Sequence, residues 1–486
     1  MLLNYFVLLS TPFEQTINWN GCVTFYLHSI IPLFTPLGYN KYMNILEEFD
    51  TIAAPATPMS AGGVGVIRIS GEKAFDIIRK IFSNANFEPR RFQYGWISDG
   101  DIRIDSVIVL PFFAPNSYTG EDVVEIQCHG GVQVVRNILN LVLKNGARLA
   151  EKGEFTKRAF LNKRMDLSQA ESVADIIHSK TSDFAKVSMK NLSGVLKEKV
   201  NDIRNDIFEV LSKITAGIDF PEDVREPEYS YLIESFDSII KQIDSVLAGA
   251  DTSNIFRQGA SVAIVGKPNV GKSSLFNALL NLDRAIVTDI AGTTRDVLRE
   301  TLDLGIPVTL VDTAGIREDE EVSKVEKIGI EYSKQSLDEA DLVLFVYDAS
   351  KGLDSDDKEV LELLKDKKHI VIANKADLVN QKPENALCIS ALTGEGVAEL
   401  KNLLRQKVCD IEPESLEFVT NTRQQECLKK ARASIEQALL AAQLNELQDL
   451  ISIDVKSAVL ALDELTGELI TDNILDNIFE HFCIGK

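Results

Sequence analysis

The sequence predicts a multidomain chain of α+β and α/β units in which an α/β domain interrupts an all-helical one. Short strands and turns alternate over residues 51–162, which is typical of an α+β domain. Apolar residues follow helical spacing over 167–247, and the same spacing resumes at Leu428. Between these stretches, strands and helices alternate over 256–410. We therefore expect a discontinuous helical domain with an insertion, because insertions succeed at exposed loop tips.

Turn residues separate the elements that we predict in the N-terminal part. A glycine turn at 62–65 leads into a strand, and further strands are predicted at 106–110 and 123–127. Helices are predicted at 74–82 and 132–143. These elements alternate irregularly, which favours α+β over a regular α/β pattern.

The helical stretch begins at a predicted capping box formed by Ser168 and Glu171. A second helix carries apolar residues at helical spacing over 200–214 and ends near Gly217 and Pro221. After a third helix that ends at residue 247, Gly249, Asp251 and Ser253 are predicted to form a linker.

Composition limits the classes of function that the chain can serve. The 486 residues carry a formal net charge of −22, which argues against extensive nucleic-acid coating. An RNA partner stays open, because a local basic face or a basic partner subunit can supply the phosphate contacts. The six cysteines are scattered without a C-x-x-C pair, which fits neither a disulfide framework nor a zinc site. We therefore expect a reducing, cytoplasmic compartment.

Residues 1–42 differ from the rest of the chain. Their charged side chains are Glu14 and Lys41, and no apolar run reaches the roughly eighteen residues that span a bilayer. The segment lacks the basic start of a secretory signal and the arginine content of a transit peptide. We expect translation to start at Met43 and residues 1–42 to be an extension outside the fold. The alternative is a weak tether to a membrane surface.

The strongest motif begins after a predicted buried strand at 261–265. The residues GKPNVGKS at 266–273 satisfy G-x-x-x-x-G-K-[ST] between that strand and an apolar-periodic helix, as a phosphate-binding P-loop requires. Backbone N–H groups and the helix N-terminus would surround the phosphates. Lys272 would contact the β- and γ-phosphates, and the Ser273 hydroxyl would bind Mg²⁺.

Three further motifs follow in the order of a Ras-like P-loop G domain. A strand ends in DTAG at 312–315, a second ends in NKAD at 374–377, and SAL at 390–392 follows a third. The Asp377 carboxylate can accept two hydrogen bonds from guanine, which adenine cannot supply, and the 390–392 N–H groups would cap the base. Thr294 would join Ser273 on Mg²⁺. The predicted GTP-binding residues are Asn269, Val270, Gly271, Lys272, Ser273, Ser274, Thr288, Asp289, Ile290, Ala291, Gly292, Thr293, Thr294, Asp312, Thr313, Ala314, Gly315, Asn374, Lys375, Ala376, Asp377, Ser390, Ala391 and Leu392.

Two features separate this sequence from Ras-like switches. The residue after DTAG is Ile316, so the usual water-positioning glutamine is missing. Asn269 and the loop 287–296 resemble those of GTPases that a potassium ion activates. An added cation near the β/γ bridge stabilises the charge that develops in the transition state. Arg295 is the competing candidate for that charge.

The ends of the chain narrow the choice among such GTPases. The stretches DTIAAPATP at 50–58, GGVGVIRISG at 62–71, YTGED at 118–122 and FCIGK at 482–486 resemble the MnmE (TrmE) family of tRNA modification GTPases. HGG at 129–131 and GEFTKRAFLN at 153–162 match it as well. The resemblance runs from about residue 49 to residue 486.

The resemblance implies a division into domains and a set of partners. It implies an N-terminal folate-binding and dimerisation domain at 43–162, helical segments at 163–254 and 412–486, and a G domain at 255–411. The family forms a homodimer and assembles with the flavoprotein MnmG (GidA) into a heterotetramer that acts on tRNA, with no membrane partner. Together they modify C5 of the wobble uridine with an aminomethyl or carboxymethylaminomethyl group, whose carbon comes from 5-formyl- or 5,10-methylene-tetrahydrofolate.

The resemblance also implies roles for individual residues. Glu326 matches the family's residue that orients the attacking water. Arg164 stands where the family often has lysine, so a charged donor is kept in a different geometry. The implied potassium ligands are Asn269, Thr288, Ile290 and Thr293, and the implied folate contacts are Arg68, Glu125, Arg164 and Lys486.

Other interpretations stay open at the level of the sequence. Glu326 alone is typical of a solvated helix carboxylate, and Glu125 could form a structural ion pair with one of the arginines. The chain could instead be a ribosome-assembly GTPase, although no KH-like G-x-x-G helix pair follows the G domain. A folate-dependent methyltransferase with a regulatory G domain is the third reading. Cys483 lacks a visible base, so its role stays open.

Overall fold

The computed structural model describes residues 50–89, 91–282, 299–312, 340–408, 418 and 420–486. Residues 1–42 and several predicted site residues lie outside these ranges, so their roles stay predictions. Those site residues are Thr288, Asp289, Ile290, Ala291, Gly292, Thr293, Thr294, Thr313, Ala314, Gly315 and Glu326.

The N-terminal part, as described, contains a six-stranded mixed sheet. Its strands are β1 (Ile52–Pro55), β2 (Val64–Ser70), β3 (Gln93–Asp99), β4 (Ile102–Phe112), β5 (Val123–His129) and β6 (Arg148–Leu149). They lie in the order β3-β4-β5-β2-β1-β6, and only the short β1–β6 pairing is parallel. In β2 and β5 the register places Arg68 opposite Glu125. Strand pairing therefore brings together two residues that are far apart in sequence.

Two of the three described N-terminal helices cover one face of this sheet, and Phe155 of the third packs on the other face against Ile52 and Ala54. The helices of the N-terminal part are α1 (Ala74–Ile81), α2 (Val132–Lys144) and α3 (Glu154–Leu161). Apolar residues of α1 and α2, such as Ile78 and Ile138, pack against Ile67 and Ile126 of the central strands. Alternate residues of β2 and β5 point to the other face, which carries the Arg68–Glu125 pair.

Four helices follow, and then the inserted domain begins. The four helices are α4 (Leu167–His178), α5 (Ser182–Ser193), α6 (Val195–Asp219) and α7 (Tyr229–Leu247). The inserted domain comprises α8 (Ala250–Gln258), β7 (Ala260–Val265), α9 (Lys272–Leu282), β8 (Arg299–Asp303), β9 (Pro307–Asp312), β10 (Leu342–Asp348), α10 (Ser355–Leu363), β11 (His369–Asn374), a 3₁₀ turn (Ala376–Leu378), β12 (Leu387–Cys388) and α11 (Val397–Val408).

The strands of the inserted domain form one sheet in the order β12-β11-β10-β7-β9-β8. Every pairing is parallel except that of the edge strand β8 with β9. All seven residues of β10 are buried, as expected for a central strand of a parallel sheet covered on both faces. The carboxyl ends of β7 and β11 consequently meet at one edge, where ligands of such sheets bind.

The helical domain is built from both sides of the insertion. Beyond it come α12 (Thr422–Gln443), α13 (Gln448–Thr466) and α14 (Asp472–Phe479). Ile207 of α6 and Phe236 of α7 share one buried core with Ile435 of α12 and Val455 of α13. The predicted fold class, with a discontinuous helical domain and an inserted α/β domain, is confirmed. The predicted domain boundaries stay predictions.

The predicted capping box at the start of α4 is wrong, although the helix begins at Leu167, where the helical periodicity begins. The helix is capped by Asp166, whose carboxylate accepts the Gln169 N–H at 2.8 Å, while the Gln169 side chain accepts the Asp166 N–H at 3.0 Å. Ser168 instead donates its hydroxyl to Asp166 at 2.8 Å. Glu171 is bound by Arg423 from the far side of the insertion, so it is not available for a capping box.

The predicted linker at 249–253 is also wrong, because α8 occupies this stretch. Ser253 satisfies its hydroxyl within the helix by donating to the Gly249 carbonyl at 2.7 Å. Phe256, three residues on, is buried in the core of the inserted domain. Tertiary burial thus stabilises a helix that the local residue types disfavour.

Among the described residues, no helix is long and apolar enough to cross a membrane. The same residues contain no cluster of three or more His, Cys, Asp or Glu side chains that could hold a metal ion.

Candidate functional site

The P-loop connects the end of β7 to the start of α9. Gly266 and Gly271 have φ values of 153° and 96°, and Asn269 has a φ of 62°. A Cβ at Gly266 would lie 2.1 Å from the Val346 carbonyl oxygen, so only glycine fits beside β10. The Lys272 ammonium donates to the carbonyls of Gly266 and Lys267 at 2.8 and 2.9 Å. The lysine thereby holds the loop in the curled form that phosphate binding requires.

Asn374, the last residue of β11, fastens the P-loop to the rest of the sheet edge. Its side chain is buried, donates to the Val270 carbonyl at 2.8 Å and accepts the Ala391 N–H at 3.0 Å. Its own carbonyl accepts the Ala349 N–H at 2.8 Å. One residue of the NKAD motif thus joins the P-loop, the loop after β10 and the loop after β12. The NKAD motif predicts nucleotide binding for Asn374 but does not indicate this structural role.

Lys375 makes a second connection to the P-loop. It has a φ of 64°, and its ammonium donates to the Asn269 carbonyl at 2.9 Å and to the Asp348 carboxylate at 2.7 Å. Burial raises the pKa of Asp348, but hydrogen bonds from Lys375 and Ser350 outweigh it and hold the pKa below its usual value. Asp348 therefore stays charged at neutral pH and holds Lys375 in place. No motif in the sequence indicates this role of Asp348.

The residues predicted to read the base lie around these connections. Asp377 is exposed in the 3₁₀ turn, so its carboxylate is open to a ligand. The Ser390 N–H donates to the Glu395 carbonyl at 2.9 Å, and the Ala391 N–H is taken by Asn374. Leu392 is 87% exposed. Capping of the base by the N–H groups of 390–392 stays a prediction.

The candidate cation ligands in the described residues lie on the exposed side of the P-loop. Ser273 is exposed in the first turn of α9, where its hydroxyl suits a hard cation such as Mg²⁺. The left-handed backbone of Asn269 leaves its side chain exposed, while its carbonyl is held by Lys375. An exposed carboxamide oxygen fits K⁺. Asp312, one of the predicted GTP-binding residues, is the last residue of β9 in the same sheet.

A second constellation lies on the face of the N-terminal sheet opposite α1 and α2. The Arg68 Nε donates to Glu125 Oε1 at 2.9 Å, so the structural ion pair that the alternative reading predicts is present. The guanidinium carbon lies 5.2 Å from the centre of the Tyr118 ring and 5.5 Å from that of Phe155. Arg68 is thus held between two aromatic rings, beside a carboxylate.

The carboxyl-terminal segment 482–486 reaches this pair. The Arg68 Nη1 donates to the Gly485 carbonyl at 3.5 Å, and the Phe155 N–H donates to the Lys486 carbonyl at 3.2 Å. A Cβ at Gly485 would lie 2.1 Å from the Pro55 carbonyl oxygen, so the close approach requires glycine. The structure therefore brings Arg68, Glu125 and the backbone of Lys486 together.

Arg164 is exposed at the end of the turn after α3. Its side chain packs against Gly120, where a Cβ would lie 3.3 Å from Arg164 Cγ. Gly120 is two residues from Tyr118, whose ring covers Arg68. The structure places Arg164 beside the same loop as the ion pair without a contact to it.

Two family models and several near full-length relatives match this chain and identify its family. The family model described as "MnmE helical domain" matches residues 167–483, and that described as "GTP-binding protein TrmE N-terminus" matches residues 51–164. The tRNA modification GTPase MnmE of Clostridioides difficile is 45% identical over 457 residues, which cover 90% of this chain and 99% of the relative. The MnmE of Thermotoga petrophila is 42% identical over 451 residues, with 90% and 100% coverage. The chain belongs to the MnmE family of tRNA modification GTPases.

Membership of the MnmE family makes the chain a GTPase of tRNA modification, as its motifs indicate. Among solved structures, Era of Aquifex aeolicus is 30% identical and has a TM-score of 0.26, with 36% of this chain and 66% of Era covered. The family assignment rests on the near full-length relatives and the two family models, not on this likeness.

Gly271→Ala should lower GTP affinity by roughly 10- to 100-fold, the equivalent of losing one or two hydrogen bonds. A Cβ at Gly271 would lie 2.2 Å from Asn374 Nδ2, so the buried amide that holds Val270 must move. Calorimetric titration with GTP measures the effect. Gly100→Ala is the control, because Gly100 also has a positive φ of 61° with nothing within 4 Å of the added Cβ. Wild-type affinity in Gly271→Ala would contradict the role of Asn374.

Proposed function

We propose that this member of the MnmE family is a K⁺-dependent GTPase that acts in the cytoplasm with the flavoprotein MnmG (GidA). The complex would add an aminomethyl or carboxymethylaminomethyl group to C5 of the tRNA wobble uridine, U34. Its carbon would come from 5-formyl- or 5,10-methylene-tetrahydrofolate. The observation that carries the proposal is the convergence of Arg68, Glu125 and the 482–486 segment at one site.

The chemistry of this site supports a reduced folate as its ligand. A pterin ring offers N–H donors that a carboxylate such as Glu125 can accept, and folate carboxylates suit an arginine that is free to turn toward them. Arg164 is exposed beside the Tyr118 loop and can meet such a carboxylate. The Tyr118 and Phe155 rings supply flat apolar surface next to these charges.

The face of the N-terminal sheet opposite α1 and α2 supports a homodimer. Large apolar side chains of β3 and β4 are exposed on it although the opposite face is packed, and Val64 of β2 is exposed on the same face beyond β5. These side chains are Val64 at 59%, Tyr94 at 64%, Trp96 at 38%, Ile108 at 36% and Phe112 at 36% exposure. The exposed apolar surface on the adjacent strands β3 and β4 marks an interaction site. A second copy of the same domain would cover it.

The charge of the chain bears on how tRNA is held. With a net charge of −22, the chain alone offers little electrostatic attraction to a phosphate backbone. A heterotetramer in which MnmG supplies most phosphate contacts resolves this difficulty.

The nucleotide site supports hydrolysis by positioned charges. Lys272 and the N-terminus of α9 would neutralise the phosphates, and Asp377 would select guanine. Mg²⁺ would be held by Ser273 and Thr294, and K⁺ by Asn269, Thr288, Ile290 and Thr293. These cations supply positive charge at the β/γ bridge. Glu326 would orient the attacking water.

GTP turnover should depend on potassium. Rates in equal concentrations of KCl and NaCl should differ by roughly 10-fold or more, because stabilisation of transition-state charge is usually worth several kcal/mol. Asn269→Ala should remove most of the difference. Equal rates in the two salts would contradict the potassium proposal. They would favour Arg295 as the source of the positive charge that stabilises the transition state.

Glu326→Ala should lower GTP turnover by about 10²- to 10⁴-fold, the range for a group that positions or deprotonates water. The affinity for a non-hydrolysable GTP analogue should stay close to that of the unchanged chain. Single-turnover kinetics combined with titration separates the two effects. Normal turnover would show that Glu326 is a surface carboxylate without a catalytic role.

Glu125→Gln should lower the affinity for 5-formyltetrahydrofolate by about 10- to 100-fold, since hydrogen bonds to charged groups contribute roughly 1.5–3 kcal/mol. GTP hydrolysis should change little, because Glu125 lies outside the nucleotide site. Calorimetric titration of the full chain measures the affinity, and Glu88→Gln, which disrupts an exposed pair with Arg91, is the matched control. Unchanged folate affinity with a lowered melting temperature would show that the Arg68–Glu125 pair is structural.

A further inference from the structure

The chain enters the G domain at α8 and leaves it just before α12. Two carboxylates of helix α4 bind these two crossing points. Glu171 and Asp175 are four residues apart, so they lie on the same face of the helix, one turn from each other. Asp175 pairs with Arg257, and Glu171 pairs with Arg423. Arg257 is in α8, where the chain passes into the G domain, and Arg423 is in α12, just after the chain leaves it.

The pair at α12 is the more elaborate of the two. Arg423 donates Nε and Nη2 to the two oxygens of Glu171 at 2.8 and 2.9 Å, in a bidentate arrangement. Gln424 donates to the same carboxylate at 2.6 Å. Arg423 also donates to the carbonyls of Glu464 and Leu465 at 3.0 Å each, at the end of α13. The Glu171 side chain is 8% exposed, so its carboxylate depends on these partners.

The pair at α8 joins the G domain itself. Asp175 is 13% exposed and Arg257 28% exposed, and Phe256, the neighbour of Arg257, is buried in the G-domain core. Phe184 and Val187 of α5, which follows α4 directly, belong to the same core. A change in the position of the G-domain core would therefore act directly on the segment that contains Asp175.

The two crossings are also fastened to each other. The Thr420 N–H donates to the Ser253 hydroxyl at 3.2 Å, although the two residues are 167 positions apart. We call these two crossings, α8 and residues 420–423, the stem of the G domain. The hydrogen bond between them makes the stem a single unit, and both crossings are attached to α4.

The apolar face of α4 leads to the other end of the molecule. Leu167 and Ala170 are fully buried against Phe479 and Phe482, the last of which begins the 482–486 segment. That segment continues to the Arg68 guanidinium through the Gly485 carbonyl. One helix therefore contacts both the stem of the G domain and the segment that completes the N-terminal site.

We propose that α4 is the coupling element between the GTPase site and the N-terminal site, with Glu171 and Asp175 as its positioning residues. In part this rests on the proposed function, which gives the N-terminal site its folate. Because each arginine is held by a largely buried carboxylate, the stem cannot shift without moving α4 or breaking a pair. A shift of α4 moves the packing surface of Phe482, and with it the contacts of Gly485 to Arg68.

Hydrogen exchange on the full chain tests the coupling without reference to folate. The unchanged chain should show different exchange at residues 479–486 when it is saturated with GDP and with a non-hydrolysable GTP analogue, by roughly fivefold in rate for a typical coupling. In Asp175→Asn this difference should fall to less than about twofold. Glu171→Gln should act in the same direction. GTP turnover in both variants should stay near that of the unchanged chain, because neither residue touches the nucleotide site.

Asp183→Asn is the matched control, since Asp183 pairs with Lys186 on α5 and contacts neither crossing. Loss of the difference in Asp175→Asn and its retention in Asp183→Asn would support the coupling. No nucleotide-dependent difference in the unchanged chain, an undiminished difference in Asp175→Asn, or an equal loss in the control would each overturn it. If Asp175→Asn does not fold, Arg257→Lys replaces it, because it keeps the charge and loses the planar fork.

A parallel titration keeps this proposal separate from the proposed function. If 5-formyltetrahydrofolate fails to bind the unchanged chain, the one-carbon role is wrong, and the exchange experiment still decides the coupling. If folate binds, its affinity should differ between the two nucleotide states by the same factor that folate imposes on nucleotide affinity, since coupling free energies are reciprocal. If the folate affinity is the same in both nucleotide states, the coupling is wrong and the proposed folate site is retained.

Discussion

The helical domain can close its core only when two stretches of chain separated by the whole G domain meet. Ile207 and Phe236 come from before the insertion, and Ile435 and Val455 from after it. Closing a loop of the 167 positions between Ser253 and Thr420 costs roughly 4–5 kcal/mol from chain length alone. Two or three fully buried large apolar side chains, at about 1.5–3 kcal/mol each, offset that cost. The shared core is therefore the condition on which the placement of the G domain depends.

Within the G domain, polar side chains from the sheet edge keep the P-loop in shape. Asn374 and Lys375 bind the carbonyls of Val270 and Asn269, and Asp348 fixes the lysine. These contacts hold the P-loop through its carbonyl groups. Preorganisation of this kind lowers the cost of ordering the site when a nucleotide binds.

The sequence predicts most of the G domain because its signals are local. The P-loop follows a buried strand, and the NKAD motif ends another, as the structure shows. Local signals fail where a distant partner decides. Glu171 fits a capping box with Ser168 until Arg423, from beyond the insertion, binds its carboxylate.

The same limit explains the wrong linker at 249–253, and why only the family resemblance brought Arg68, Glu125 and the C-terminal segment together. Gly249 and Ser253 are residue types that favour a linker, but burial of Phe256 stabilises a helix in this segment. The Arg68–Glu125 pairing follows from strand register, which no local pattern of residues gives. The contact of Arg68 with Gly485 spans 417 positions and depends on the packing of the helical domain against the N-terminal sheet.

That last contact has a consequence for the synthesis of the protein. At about 5–20 residues per second, the 417 positions between Arg68 and Gly485 take roughly 20 to 80 s to translate. Throughout that interval the N-terminal sheet can fold, and later the P-loop domain can bind nucleotide, while the Arg68 site lacks its final wall. A nascent or truncated chain would therefore hold GTP without an assembled N-terminal site. The close fit of Gly485 against Pro55 makes completion of that site one of the last events of biogenesis.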